Sequence, residues 1–139
     1  MTRIDAATRE AYRQTEYRVT GPGEVVLRVG EPSRELAQLH RAHQTDCSAF
    51  ITACNPYGKL LASAVNAQRQ QSLAAAIARL GRAALPGIGR HPTGDWPAEA
   101  SYLVPGLARA TAMRLAEQFE QNALLWAGAG AVPELILLR

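Results

Sequence analysis

The stretch "ITACNPYGKLLASAVNAQRQ", residues 51–70, decides the architecture because a strand ends in it and a helix begins. The run from Ser48 to Cys54 carries the β-branched and aromatic residues of a strand, and Asn55-Pro56 stops it. A helix is predicted from about Ala64 to Leu80, ended by Gly81. The amides, tyrosine and arginine that this junction carries make it the first place to look for a binding site.

The phase of this helix brings two polar residues onto its apolar side. Leu73, Ile77 and Leu80 form a stripe, and Arg69 and Asn66 continue it towards the helix start. A guanidinium on a buried stripe must be paired or hydrogen-bonded, since an unpaired buried charge is costly. An amide, a guanidinium and a helix N-terminus together favour a pocket for a carboxylate or phosphate. Alternatively, Arg69 pairs with a protein carboxylate and ties the helix to the sheet.

A candidate for that carboxylate lies in "DWPAEASYLV", residues 95–104. Strand alternation puts Glu99, Ser101 and Leu103 on one face. A glutamate in a half-buried strand either partners an arginine or has a shifted pKa suited to acid–base chemistry. Trp96 could form a wall of the same site. Two further amides, Gln121 and Asn122, stand at another strand entrance, where they satisfy backbone groups or line the pocket.

The remaining pattern predicts strands in pairs interrupted by helices. This favours one α+β domain over residues 1–139, with two layers, a mixed or mostly antiparallel sheet and about four helices. Residues 87–94, rich in Gly and Pro, are predicted to be a turn or a mobile lid over the site. The other predicted elements are a helix at 4–14, a hairpin at 17–29 with its turn at Gly21-Pro22-Gly23, a helix capped by Ser33, a strand at 98–104, a helix ending near Phe119, and a hairpin of strands 122–126 and 135–138.

Composition narrows the class of protein. With 139 residues, 47% hydrophobic and 19% charged, the chain fits one soluble core. It has no apolar run of membrane-spanning length and begins with a polar segment, so we expect a cytoplasmic protein without membrane association. Cys47 and Cys54 would be too far apart along a strand for a disulfide. His40 and His43 have a chelating spacing without a further ligand nearby, so neither a metal site nor a cofactor is predicted.

The charge distribution is uneven although the net charge is only +3. Residues 47–94 contain five basic side chains and no acidic one. This is either an electropositive face or scattered surface arginine.

Several segments together resemble a known bacterial family, that of domain of unknown function 3293. The segments are AYRQTEY (11–17), FITACNPYG (50–58), NAQR (66–69), DWPAEASYLVPGL (95–107) and EQFEQNALLW (117–126). Their order and spacing carry the resemblance from about Ala11 to Leu138, and Cys54 departs from it where a larger residue is expected. The resemblance implies no reaction, but its pattern consists of the same polar residues that helix and strand phase single out.

Three hypotheses for function follow. The first is a small-molecule binding module with a pocket for an anionic ligand, such as a nucleotide or phosphorylated metabolite. Its predicted ligand-binding residues are Asn55, Tyr57, Asn66, Arg69, Trp96, Ser101, Gln121 and Asn122, with Glu99 in the same pocket. The second is a small enzyme in which Glu99 is the catalytic general acid or base and Arg69 stabilises negative charge. The third is a protein-interaction or structural domain with a buried Arg69–Glu99 pair, and nucleic-acid binding ranks last.

Overall fold

The computed structural model describes residues 4–20, 24–94 and 97–139, and confirms a single α+β domain. Within these residues the chain forms four α-helices and seven strands. The helices are α1 (Ala6–Gln14), α2 (Arg34–Ala42), α3 (Ser63–Arg79) and α4 (Arg109–Gln118). The strands are β1 (Glu16–Val19), β2 (Val25–Leu27), β3 (Ser48–Ile51), β4 (Leu85–Arg90), β5 (Glu99–Pro105), β6 (Ala123–Ala127) and β7 (Glu134–Leu137).

All strands join one sheet in the order β2-β1-β4-β5-β3-β6-β7, and every neighbouring pair is antiparallel. The sheet is curled, so that loops from its two ends meet. The N–H of Gly30, after β2, donates to the carbonyl of Pro133, before β7, at 2.8 Å, and Ser33 N–H donates to Ala131 O at 3.0 Å. These bonds bring the two edges of the sheet to the same side of the molecule.

Apolar clusters lie on both faces of the sheet. Ile51 and Val104 point to the face covered by α3 and α4, where Leu73 and Ile77 of α3 pack. The neighbouring residues in the strands, such as Phe50 and Leu103, point to the concave face and pack with Leu36 of α2. The sequence predicted two layers, a sheet and helices, whereas the structure has helices on both faces of the sheet.

Local signals account for the ends of the helices. Ser33 caps α2 as predicted, since its Oγ accepts a hydrogen bond from Leu36 N–H at 3.1 Å. Asp5 caps α1 in the same way by accepting from Thr8 N–H at 2.7 Å. The 17–29 hairpin is confirmed as β1 and β2. Its predicted turn at Gly21-Pro22-Gly23 lies outside the described residues.

The predicted loop or lid at residues 87–94 is wrong for its first part. Residues 85–90 form β4, an inner strand that pairs with both β1 and β5. Gly87 has a packing role: a Cβ there would lie 2.8 Å from the Phe50 ring and 2.7 Å from Arg18 O. The glycine is thus required by a ring that crosses the strand, not by a turn.

Candidate functional site

A cavity of about 560 Å³ lies between α1 and the concave face of the sheet. The sheet contributes alternate residues of its inner strands, and α1 contributes the residues that face them. The cavity is lined by Ile4, Asp5, Ala7, Thr8, Ala11, Tyr12, Thr15, Tyr17, Phe50, Thr52, Asn55, Tyr57, Gly58, Gly89, His91, Pro97, Glu99, Ser101, Gln121, Asn122, Ala123, Leu124, Leu125, Leu135 and Arg139.

Gly89 lies in the cavity floor, and its lack of a side chain leaves room there. In the sheet register Gly89 of β4 is opposite Tyr17 of β1 on one side and Glu99 of β5 on the other. A Cβ on Gly89 would meet the Tyr17 ring at an ordinary 3.5 Å, so the position is open towards the cavity. The missing side chain leaves a gap between the phenol ring and the carboxylate.

Glu99 and Ser101 share the cavity face of β5, which confirms the alternation predicted from the sequence. Ser101 is buried, and its hydroxyl donates to the backbone carbonyl of Glu99 at 3.2 Å. The Glu99 carboxylate accepts a hydrogen bond from Asn55 Nδ2 through Oε2 at 2.7 Å. A titratable group with a fixed orientation therefore stands in the cavity wall.

Asn55 makes four hydrogen bonds through its side chain and its N–H, besides the one that its carbonyl accepts from Gly58 N–H at 3.0 Å. Three of the four hold it in place, so that it can orient Glu99. Its Oδ1 accepts from Leu61 N–H and from Asn66 Nδ2, both at 2.9 Å, and its own N–H donates to Asn66 Oδ1 at 2.9 Å. The fourth bond is the one to Glu99. Asn55 and Tyr57 both have left-handed backbone, with φ of 49° and 53°. Non-glycine residues pay a conformational cost there, and such residues cluster at functional sites.

Asn66 and Arg69 face the protein interior from α3, but neither lines the cavity. Asn66 acts on the site through Asn55. Arg69 bonds the chain beyond the end of β3 and of α4, where Nε donates to Ala53 O and Nη2 to Phe119 O, both at 2.6 Å. A third contact joins Nη1 to the carboxylate of Glu120 at 3.5 Å. The guanidinium thus ties α3 to the segments after β3 and after α4.

The sequence missed Gln70, which is buried beside Arg69. Its Oε1 accepts from Ala53 N–H at 2.6 Å and from the Thr52 hydroxyl at 3.4 Å. The signal that could have found it is its phase, because Gln70 is three residues before Leu73 and seven before Ile77 and so lies on the buried stripe of α3.

The two amides at the start of β6 both line the cavity. Gln121 Nε2 donates to the carbonyls of Cys54 and Phe119, at 3.1 Å each. Asn122 Nδ2 donates to the Tyr12 hydroxyl at 3.3 Å. Gln121 therefore satisfies backbone and lines the wall at once, combining the two roles considered for it.

The outer rim of the cavity is formed by Tyr57 and Arg139. The Arg139 guanidinium stacks on the Tyr57 ring, 4.1 Å from its centroid, and donates to Asn122 Oδ1 at 3.3 Å. Trp96, the predicted wall of the site, lies outside the described residues.

Helix α1 forms a roof that is only lightly attached. None of its residues is buried, and the residues facing the cavity repeat at helical spacing, as Ala7, Ala11 and Tyr12 do. Among the described residues, two hydrogen bonds connect it to the sheet and the segment before β6: Tyr17 Oη donates to Tyr12 O at 2.8 Å, and Asn122 Nδ2 donates to the Tyr12 hydroxyl. The cavity separates this helix from the apolar floor beneath it.

The electrostatics of the wall favour neutral phenol and thiol groups. Burial raises the pKa of Tyr12 and of Tyr17, and the charge of Glu99 adds a smaller increase to each. Burial likewise raises the pKa of Cys54, which adjoins Asn55. These groups stay protonated near neutral pH, and the carboxylates among the described lining residues are those of Glu99 and Asp5.

In the part of the chain that the structure describes, no three His, Cys, Asp or Glu side chains are grouped to hold a metal ion. His40 is buried and hydrogen-bonded through Nε2 to the Ser48 hydroxyl at 2.7 Å. Among residues 4–20, 24–94 and 97–139, no helix combines the length and apolarity that crossing a bilayer requires.

Several cavity residues were not predicted from the sequence as part of a site: Tyr12, Tyr17, Phe50, Thr52, Gly89 and Arg139. A signal for the two tyrosines existed, because both belong to the segment AYRQTEY that carries the family resemblance. Gly89 could have been found by its alternation with Gly87, which is the period of a strand.

The fold and the cavity define a class, a single-domain α+β protein whose curled antiparallel sheet and helix α1 enclose a cavity with a fixed carboxylate. The chain belongs to the family described as Protein of unknown function (DUF3293), whose model matches residues 51–124, more than half of the chain. This match contains Asn55, Glu99 and Gln121, and it confirms the family predicted from the sequence. No curated protein and no solved structure matches the chain.

Proposed function

We propose that this protein is a small-molecule binding module that holds its ligand in the cavity beneath α1. The observation that carries the proposal is the Glu99 carboxylate, fixed by Asn55 in the wall of a cavity of about 560 Å³. Ligand pockets typically have volumes of about 300–1,000 Å³ and combine an apolar lining with a few oriented polar groups. This cavity has both features.

The polar and apolar groups of the wall are segregated. The Phe50 side chain is opposite Leu125 in the sheet register, and Leu125 is opposite Leu135, so these residues form an apolar row. Glu99 lies four residues along β5 from Leu103, the register partner of Phe50, and Asn55 follows Phe50 by five residues, beyond the end of β3. A ligand with an apolar body and one polar group fits this division.

The position of Arg69 removes the main argument for the anionic ligand that was expected from the sequence. That expectation relied on Arg69 and the first turn of α3 as the anion-binding groups. Arg69 instead donates to two backbone carbonyls and contacts Glu120, outside the cavity lining. The proposal therefore centres on Glu99 as a hydrogen-bond acceptor and not on a guanidinium.

An enzyme using Glu99 as general acid or base is the second candidate, favoured by the same fixed carboxylate. Arg69 is not available to stabilise negative charge in that scheme, since it lies outside the wall. The third hypothesis required an Arg69–Glu99 pair, and the described contacts of Arg69 go to other groups. Incubation of each bound compound with wild type and Glu99→Gln, followed by mass spectrometry, separates binding from turnover.

The test of binding uses a variant that fills the cavity. Gly89→Leu adds a side chain to the floor between Tyr17 and Glu99, at a position whose Cβ meets the Tyr17 ring at 3.5 Å. Gly130→Leu is the matched control, because the nearest atom to a Cβ there is in Val132, at 3.9 Å, outside the cavity. A fragment library is screened by thermal shift and by ligand-observed NMR.

We expect a set of fragments that bind wild type and Gly130→Leu but lose at least tenfold in affinity for Gly89→Leu. A folded Gly89→Leu that binds the same fragments equally well would refute the proposed cavity. A library without a single binder to wild type would refute it as well.

A further inference from the structure

We infer that the ligand of this cavity is an uncharged aromatic molecule that lies with its ring over Gly89. This inference rests on the proposed function and specifies its ligand. Three observations lead to it: the hydrogen-bond donors of the inner wall are used within the protein, apolar side chains line both floor and roof, and a glycine leaves a gap beside an aromatic ring.

The side-chain donors of the inner wall already have partners in the protein. Those considered are the hydroxyls of Thr15, Tyr17, Thr52 and Ser101 and the amide of Gln121. Each of them donates to a backbone carbonyl, at distances between 2.7 Å and 3.2 Å. No buried side-chain nitrogen or oxygen of the described residues lacks a hydrogen-bond partner. A carboxylate or phosphate placed against these groups would therefore have to displace an existing bond.

The charged residues of the lining are also engaged within the protein. Asp5 caps the first turn of α1, and Glu99 accepts a hydrogen bond from Asn55. The Arg139 guanidinium stacks on the Tyr57 ring at the outer rim. A neutral ligand leaves these contacts in place, whereas a charged ligand loses its hydration on entry and competes with them for a partner.

Apolar side chains line the floor and the roof of the cavity. Phe50 of β3 is opposite Leu125 of β6, and Leu125 is opposite Leu135 of β7, which gives an apolar row across the sheet. Ala7 and Ala11 of α1 belong to the same lining on the opposite side. An apolar body enclosed between them is removed from water, and this supplies the binding energy without any charge.

Gly89 makes the floor suitable for a flat ring. A Cβ at this position would lie 3.5 Å from the Tyr17 ring, an ordinary contact distance, so a ring over the glycine backbone can touch Tyr17 without a clash. Tyr17 and Phe50 already meet edge to face, with centroids 5.4 Å apart, and a ligand ring would extend this pair. A glycine inside a strand often marks a place where a ligand approaches the backbone closely.

The test compares four compounds on one bicyclic frame: 2-naphthol, 2-naphthoate, 2-(aminomethyl)naphthalene and decahydro-2-naphthol. At pH 7 the first is uncharged and aromatic, the second is an anion, the third is a cation, and the fourth is uncharged but not flat. Dissociation constants are measured by protein-observed NMR titration for wild type and two pairs of variants.

The first pair of variants locates the ligand. Ala11→Trp fills the space beneath α1, and Ala6→Trp is its control, because Ala6 is an exposed residue of the same helix outside the lining. The second pair supplies a charged donor. Leu135→Lys introduces an ammonium group into the apolar row, whereas Leu137→Lys changes a half-buried leucine of the same strand outside the lining.

We expect 2-naphthol to bind wild type at least tenfold more tightly than either charged compound, because a charge that enters without a partner is costly to desolvate. It should bind at least about threefold more tightly than decahydro-2-naphthol, which lacks the ring contacts. Ala11→Trp should weaken 2-naphthol at least tenfold, and Ala6→Trp should not. In Leu135→Lys the naphthoate should gain at least tenfold relative to 2-naphthol, whereas Leu137→Lys keeps the wild-type order.

Equal or tighter binding of a charged compound to wild type would overturn the inference, and so would equal binding of the two alcohols or unchanged binding of 2-naphthol to folded Ala11→Trp. The order of the four compounds on wild type decides the question even where a variant does not fold. If the charged compounds bind best and Gly89→Leu removes them, the proposed function stands and only the uncharged aromatic ligand is refuted. If none of the four binds wild type, this ligand is also refuted, and the fragment library then decides on the cavity itself.

Discussion

Replacing Arg69 by methionine removes the guanidinium but keeps most of the apolar stem, so it isolates the two bonds to Ala53 O and Phe119 O. Hydrogen bonds to charged groups contribute about 1.5–3 kcal/mol each. Two would give about 3–6 kcal/mol, but Phe119 O keeps a donor in Gln121 Nε2. The Arg69 side chain is also 22% exposed, so water recovers part of the loss.

We therefore expect Arg69→Met to lower the free energy of unfolding by about 3 kcal/mol, and the melting temperature by roughly 10 °C for a chain of this size. Urea denaturation followed by far-UV circular dichroism measures the first value, and calorimetry the second. Arg69→Lys should lose more than half as much, because one ammonium does not reproduce the fork that spans two carbonyls.

The control is Glu120→Ala, which removes the third partner of Arg69. That carboxylate is 47% exposed and 3.5 Å from the guanidinium, so its loss should cost less than about 1 kcal/mol. A loss below about 1 kcal/mol for Arg69→Met, or equal losses for both variants, would refute the structural role of Arg69. In the ligand assays folded Arg69→Met should bind as wild type does.

Three further predictions concern Gly87, Asn66 and His40. Gly87→Ala should destabilise the protein by about 1–3 kcal/mol in urea denaturation, because its Cβ would lie 2.8 Å from the Phe50 ring. Asn66→Ala should lower the free energy of unfolding by about 2 kcal/mol, since the part-buried N–H and Oδ1 of Asn55 each lose a partner. The free energy of unfolding should fall as the pH drops below about 6.5, and it should fall less in His40→Gln. Burial lowers the pKa of His40, so the unfolded chain binds the proton at a higher pH than the folded chain does. The free energy of unfolding should therefore change by at most about 1.4 kcal/mol per pH unit.

Each of these predictions has a matched control. Gly130→Ala should be neutral because a Cβ there meets only ordinary contact at 3.9 Å. Gln71→Ala changes an exposed amide of the same helix as Asn66. His43→Gln changes an exposed histidine at the end of α2 and should keep the wild-type pH slope, whereas an unchanged slope in His40→Gln would contradict the assignment to His40. The other two predictions fail if variant and control lose the same stability.

The parts of the fold that the sequence predicted have local causes. The cap at Ser33 is a side-chain oxygen three residues from its N–H partner, and the hairpins join strands that are close along the chain. The shared face of Glu99 and Ser101 follows from strand alternation alone. Such features need no knowledge of distant residues.

The parts that were missed depend on distant neighbours. β4 contains Pro86, Gly87 and Gly89, which locally indicate a break in the strand, and Gly87 is explained by the distant Phe50 ring and Arg18 carbonyl that lie against it. The phase of α3 correctly predicted that Arg69 faces inward, but its acceptors are backbone carbonyls on the segments after β3 and α4. No sequence pattern distinguishes a carbonyl partner from a carboxylate or a ligand.

The strand order also has a consequence for the speed of folding. Each of the pairs β1–β2, β4–β5 and β6–β7 joins consecutive strands, whereas β3 joins the second pair to the third. Phe50 must find Leu103 and Leu125 across more than fifty intervening residues, and β1 must find β4 across a similar distance. The chain loses the entropy of closing these long loops before the contacts can stabilise it, so refolding should take milliseconds to seconds, not microseconds. Stopped-flow refolding measures this directly, and substitutions in β3 should slow it more than substitutions in α1.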